Sequence, residues 1–408
     1  MRVLLSTYGS RGDVQPLAAL GLALQTIGAE VLVCTPADAE FVELLEREGV
    51  PLAPAFMPVR LWIEHAKQSG LRLPELAAKM VLAQFDAIAA AAKGCDAIVA
   101  TGLFPSVAAA QSVAEKLGIH FSWAAFCPLM VPSPHHPPME YPGWPHPPEV
   151  TDNLALWEFN AQVKNALFGK AVNTHRLSIG LPGLDNVRDH VFTHRPWLAS
   201  DPILSPWQAT GLTDAVQTGA WILPDTRPLP AELEAFLGAG DPPVYVGFGS
   251  MAMHAAEDPA RTAIEAVRAH GRRVVVAQGW ANLVLIDDRD DCFAVGEVNQ
   301  QALFPRVIAV VHHGGAGTTT AAARAGAPQV LVPQVADQPY WASRVTELGI
   351  GAAHDGPIPR TGTLLAPLTK ALAPETRKRA AAIAKTIRSD GAMIAAELLV
   401  AAIRRGSQ

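Results

Sequence analysis

The segment HHGGAGTTT at 312–320 sets two adjacent imidazoles, three glycines and three threonines between the apolar run VIAVV and the small-residue run AAARAG. The pattern predicts a strand ending at Val311 and a helix beginning near Thr318. Gly314, Gly315 and Gly317 let the backbone approach a ligand closely. A helix N-terminus offers unpaired N–H groups and a partial positive charge. Thr318 and Thr319 add hydroxyl donors, and His312 or His313 can donate to an oxyanion. The chemistry is that of an anion site, most naturally for a phosphate or diphosphate. The competing reading is a glycine-rich turn that only joins strand to helix.

Two further turns carry similar chemistry. GSRGD (9–13) follows the first apolar run, and GFGSM (247–251) follows VYV later in the chain. Each sets glycine and serine at the carboxyl end of a strand, where open α/β sheets bind ligands. Three such turns facing a shared cleft would suit a phosphorylated or nucleotide ligand. Asp13, at the end of the first turn, could take a proton from a substrate hydroxyl. Equally, it could cap a helix beside Pro16. Asp337 and Gln338, in VADQPYW, pair a carboxylate with an amide in a way that suits sugar hydroxyls; capping again competes. DDRDD (287–291) contains a DxD pattern, Asp288 and Asp290, but reads as a solvated loop, and no metal is expected. His135 and His136 have no carboxylate or cysteine at metal spacing. Trp280, after RRVVVAQG, suits either a core or a stacking surface for a base.

Other phosphate and hydrolase signatures are missing. No GxGxxG follows a strand, and EVLVCTP ends in Thr35-Pro36 rather than an acidic residue for a ribose diol. There is no GxxxxGK[ST] and no GxSxG.

The elements that must position these turns follow from patterning. Short apolar runs (VLLST, EVLVCTP, AIVATG, HFSWAAF, VYVGFGS, RRVVVAQG, CFAVGE, VIAVV, PQVLVPQ) alternate with longer amphipathic or alanine-rich stretches. Continuous apolar strands alternating with helices indicate parallel sheets covered on both faces. Gly28, Gly118, Gly271 and Gly326 stand where helix ends are expected. At 408 residues, half of them hydrophobic, the chain predicts two domains. Their expected limits are 1–205 and 226–390, joined by a linker at 206–225. The run 374–405 reads as a closing helix, with 391–408 crossing back to the first domain. The proline- and aromatic-rich stretch 128–148 predicts an irregular loop.

A net charge of −6 without a basic run gives no reason to expect nucleic acid or an anionic membrane. The four cysteines have no CxxC spacing and read as buried thiols in a reducing compartment. The N-terminus turns polar too soon for a signal peptide, and no apolar run reaches transmembrane length. These features together read as a soluble cytoplasmic protein.

GSRGDVQP (9–16), HHGGAGTTTAAARAGAPQVLVPQ (312–334) and ADQPYWASRV (336–345) resemble the nucleotide-sugar-dependent glycosyltransferases of bacterial natural products. The resemblance is closer to the glycopeptide-antibiotic (vancomycin and teicoplanin type) group. Related motifs also occur in macrolide and sterol glycosyltransferases. The resemblance implies an α/β GT-B fold: two Rossmann-like, doubly wound parallel-sheet domains facing an interdomain cleft. It also implies that the first domain binds an acceptor and the second a UDP- or TDP-sugar donor, with no cofactor.

By the same resemblance His313 matches the phosphate-binding histidine. Ser10, Ser250, Gly315, Gly317 and Thr318 match other phosphate-contacting positions, with Arg11, Gly12, Gly249 and Ala316 beside them. Trp280 and Val298 fall where the base is held. Asp337 and Gln338 match the sugar-hydroxyl pair, and Asp13 matches the base, so Asp13 and Asp337 are the candidate catalytic carboxylates. The implied activity is inverting transfer of a sugar to a natural-product aglycone, foremost a glycopeptide heptapeptide, with 128–148 and 55–75 as candidate acceptor surfaces. A nucleotide-sugar epimerase, a non-catalytic sugar-nucleotide-binding helper and a transferase for a macrolide or sterol are the alternatives.

Overall fold

The computed structural model describes residues 1–249, 253, 258–279 and 283–406. The chain divides into two compact units. Unit 1 comprises Met1–Pro202, Trp207–Leu223 and the chain from Ser389 onward; unit 2 comprises Ile203–Pro206 and Pro224–Arg388.

Unit 1 holds a seven-stranded sheet of β1 (Arg2–Tyr8), β2 (Glu30–Thr35), β3 (Leu52–Pro54), β4 (Ala97–Gly102), β5 (His120–Ala125), β6 (Trp197–Leu198) and β7 (Val216–Gln217). Its order is β3-β2-β1-β4-β5-β6-β7, and every pairing is parallel. Because successive side chains point to opposite faces, β1 feeds two cores. Val3 and Leu5 join one, with Val14, Leu17 and Ala18 of the helix Arg11–Thr26; Leu4 joins the other, with Ile98, Trp123 and Phe192.

Unit 2 repeats the scheme with β8 (Val244–Gly247), β9 (Val274–Ala277), β10 (Cys292–Val295), β11 (Ala309–His312), β12 (Gln329–Leu331) and β13 (Gly351–Ala353), in the order β10-β9-β8-β11-β12-β13. These pairings are parallel too. In each sheet the strand order reverses beside the unit's first strand, between β1 and β4 and between β8 and β11. Parallel sheets open a ligand crevice at such a switch point. GSRGD follows β1, Phe248 and Gly249 follow β8 and HHGGAGT closes β11, so all three stand at a switch point of their own unit.

The stretch 374–405 is two helices rather than one. Pro374–Ala384 belongs to unit 2, and Gly391–Gly406 belongs to unit 1. Ala392, Ala395, Ala396 and Leu399 of the latter join the core of the helix Arg11–Thr26. Its first residue, Gly391, lies so close to the Gly219 backbone that an added Cβ would stand 2.5 Å from the Gly219 carbonyl. A Gly391→Ala variant is therefore expected to lose the docking of this helix, read as increased amide exchange in both Arg11–Thr26 and Gly391–Gly406. Among the described residues no helix is long and apolar enough to cross a membrane.

Candidate active site

The helix of the HHGGAGT turn begins at Ala316, two residues before the sequence-based expectation, with Gly315 as its N-cap. A glycine cap has no side chain to close the helix end, and no side-chain cap bond is made. The first-turn N–H groups are thus left for another partner. Thr319 and Thr320 turn their hydroxyls back to the Gly315 and Ala316 carbonyls (2.9 and 2.8 Å). Among the described residues, Thr318 is the one of the three whose hydroxyl the helix backbone does not use.

The two histidines have different tasks. His312, the last residue of β11, is fully buried. The Gly314 N–H donates to its Nδ1 (3.1 Å), which leaves Nε2–H to donate to Gln329 Oε1 (2.9 Å). Gln329 Nε2 donates in turn to the Thr319 carbonyl (3.3 Å). His312 therefore holds the turn to β12 and to the helix behind it, and burial pushes its pKa down to about 3.

His313 is spared that work. Among the described residues no hydrogen bond uses its ring, and Nδ1 is buried without a partner. Two glycines frame the imidazole. A Cβ on Gly315 would stand 2.5 Å from Nε2, and one on Gly249 would stand 3.2 Å from Cε1. Burial pushes the His313 pKa down to about 4. The ring is neutral at pH 7 and offers an N–H rather than a charge. Gly249, Gly315, Ala316, Gly317, Thr318 and His313 are thus brought together at the carboxyl edge of this sheet.

Asp337 opens the helix Gln338–Glu347 but makes no cap bond. Its Oδ2 accepts from Trp341 Nε1 (2.7 Å) instead. Burial pushes its carboxyl pKa up, against the indole hydrogen bond. Ala336 before it has φ 60°, a strained backbone for a residue with a side chain. Gln338 is buried, and its Oε1 accepts from the N–H groups of Gln334 and Val335 (2.7 and 3.2 Å). That oxygen closes the 334–338 loop, which leaves the amide nitrogen for any ligand. Val298 lies just past the carboxyl end of β10, partly buried against the core. Ser250 and Trp280 lie outside the described residues.

In unit 1, Ser10 caps the helix Arg11–Thr26 and Asp13 completes a capping box. Asp13 Oδ2 accepts from the Ser10 N–H (2.8 Å), and Ser10 Oγ accepts from the Gly12 N–H (3.2 Å). The capping role weighed from sequence is therefore present, and it also fixes where the carboxylate stands. Gly9 makes room for it, since a Cβ there would fall 2.2 Å from Asp13 Oδ2. Arg11 NƐ donates to Gln15 Oε1 (3.3 Å) one turn on.

A family description, erythromycin biosynthesis protein CIII-like, C-terminal domain, matches residues 273–393. Glycosyltransferase GtfE of Amycolatopsis orientalis is 56% identical over 99% of this chain and 98% of its own length. Vancomycin aglycone glucosyltransferase of the same organism is 53% identical, again over 99% and 98%. This chain belongs to the glycopeptide-antibiotic glycosyltransferases. Among solved structures, the glycosyltransferase VinC in complex with DTDP superimposes with a TM-score of 0.69 at 20% identity, over 99% of this chain and 100% of that one. The fold is GT-B, built from two parallel-sheet domains.

In this glycosyltransferase DDRDD lies before β10, at the amino edge of the sheet, opposite the edge that carries HHGGAGT. Arg268 binds both outer carboxylates, Asp287 (2.7 and 2.8 Å) and Asp291 (2.6 and 2.9 Å). The run thus has a structural use. Gln329 was missed by sequence reasoning; its signal is one polar residue in the otherwise apolar strand QVLV. Gly9 was read only as part of the GSRGD turn at the carboxyl end of a strand.

Proposed function

We propose that this glycosyltransferase moves a sugar from a UDP- or TDP-sugar to a hydroxyl of a glycopeptide aglycone, with inversion and without a metal, in the cytoplasm. Unit 2 holds the donor and unit 1 the acceptor. The observation that carries the reading is the His313 slot at an uncapped helix start. Breaking the bond from the anomeric carbon to the diphosphate oxygen puts the electron pair on the leaving group. Aligned N–H groups, the helix dipole and the neutral imidazole stabilise that charge where it forms. Asp13 takes the proton from the acceptor hydroxyl, whose oxygen attacks the anomeric carbon from the opposite face. Asp337 and the Gln338 amide nitrogen receive the sugar hydroxyls. The 53% identity to a protein named for vancomycin aglycone supports that acceptor. A phenolic hydroxyl, with a pKa of about 10, eases the base's task.

The test is mass spectrometry of vancomycin aglycone incubated with UDP-glucose, UDP-N-acetylglucosamine or TDP-glucose in EDTA. One sugar should be added to the aglycone. Asp13→Asn keeps an oxygen for the Ser10 N–H but removes the base, so it should lose about 10²–10⁴-fold in kcat. Full activity in Asp13→Asn would reduce Asp13 to a helix cap. A donor altered without aglycone would favour the epimerase, and a donor bound but intact the helper. Activity only with added divalent ion would overturn the metal-free reading.

A further inference from the structure

The helix Asn153–Lys164 runs into a five-residue π-helix, Asn165–Gly169. π-Helical turns inside helices recur at functional sites. Lys164 stands at the junction. Its Nζ lies 4.3 Å from the Tyr141 ring centroid, 5.4 Å from Phe104 and 5.6 Å from Phe168. Phe104 and Phe168 are stacked 5.0 Å apart, and Tyr141 meets Phe168 edge-on at 5.9 Å. Among the described residues this ammonium makes no ion pair and no hydrogen bond. The neighbouring cation, Arg188, is already engaged by Asp189 (2.7 Å) and the Trp157 carbonyl (2.6 Å). Burial and the Arg188 charge push the Lys164 pKa down to about 8. Ring faces attract a cation, but they supply no negative charge. An uncompensated cation among rings, next to a second cation, is a place where an anion is favoured.

The position of the cage narrows which anion. Phe104 opens the helix that follows β4, and the Leu103 N–H donates to the carbonyl of Tyr8, the last residue of β1 (3.0 Å). Asp13 lies five residues beyond Tyr8. The cage and the Asp13 turn therefore occupy the same edge of the unit 1 sheet, one strand apart. Tyr141 comes from the irregular segment 128–148. With the donor diphosphate assigned to unit 2, the anion met at this edge is one carried by the acceptor.

Given the acceptor assignment above, on which this rests, we propose that Lys164 is a specificity-determining residue that binds the C-terminal carboxylate of a peptidic acceptor, with the Tyr141, Phe104 and Phe168 rings holding the ammonium in place. The test is steady-state kinetics with vancomycin aglycone as the free acid and as its methyl ester. It compares the wild type with Lys164→Met, whose thioether keeps the ring contacts, and Lys164→Arg, which keeps the charge. The wild type should prefer the acid. Lys164→Met should raise the acceptor KM for the acid about 10–100-fold, the loss of one charge-assisted hydrogen bond, and leave the KM for the ester, the donor KM and kcat unchanged. Lys164→Arg should retain most of the preference. Equal effects of Lys164→Met on acid and ester would overturn the proposal while leaving the transferase reading intact. Transfer to neither form by the wild type would overturn both. A melting temperature of Lys164→Met within a few degrees of wild type, measured alongside, assigns a selective KM change to recognition rather than folding.

Discussion

Replacing His313 with alanine should lower kcat by about 10²–10³-fold, the cost of removing one donor from a site where charge develops. The acceptor KM should be unchanged, because the role proposed for the ring is on the leaving group. Stability should hold or rise slightly. The ring makes no hydrogen bond among the described residues, and its buried Nδ1 has no partner to lose. Single-turnover rates and thermal melts on the same samples check both parts. His312→Ala is the informative contrast. It strands the Gly314 N–H and the Gln329 side chain, so it should cost about 1–3 kcal/mol of stability as well as activity. Two adjacent residues of one type would then separate into a chemical group and a supporting one. The pH profile sharpens the distinction. With its pKa pushed down to about 4, His313 is already neutral at pH 5.5 and stays so above it. No break in kcat between pH 5.5 and 8 should disappear in His313→Ala. A break near pH 6.5 lost in that variant would mean that the imidazolium does the work.

The second large effect is on stability. Arg176 is 1% exposed. Its Nη2 donates to Glu115 Oε2 (2.9 Å), its Nε to the Pro182 carbonyl (2.9 Å), and His190 Nε2 meets the other Glu115 oxygen. Three helices, Phe104–Leu117, Lys170–Ser178 and Val187–Phe192, are tied through that one carboxylate. Glu115→Ala leaves a buried guanidinium without its carboxylate partner; because that carboxylate is itself partly exposed, the cost should be about 1–3 kcal/mol, read as a lower urea midpoint for unit 1. Desolvation alone would raise the Glu115 pKa, but the His190 and Arg176 hydrogen bonds outweigh it and bring it down to about 2. A carboxylate with a depressed pKa contributes stability that is complete above its unfolded value of about 4.3 and is lost as pH falls towards 2. Glu115→Gln should remove that part of the acid dependence. An unchanged slope between pH 4.5 and 2 in the variant would show that the cluster does not carry it.

Much of this protein was legible in local pattern. Alternating apolar runs announced two parallel sheets, because strands buried on both faces carry few polar residues. Gly118 and Gly326, with φ 66° and 68°, ended their helices where the side-chain-free residue was needed. The glycines and Thr318 of HHGGAGT predicted an anion site, because backbone freedom and uncapped amides are local properties. Tertiary structure decided what each polar residue does there. Whether His312 or His313 is the support depends on Gln329, 17 residues away on a neighbouring strand. The outer carboxylates of DDRDD took their role from Arg268 on a separate helix. The break in 374–405 follows from the two helices serving different units. Nothing local marks Lys164: Tyr141 and Phe104, which surround its ammonium, come from distant segments. Periodicity reports which face of an element is apolar. Desolvation, pairing and charge depend on what is packed against that face, and those neighbours are brought there by the fold.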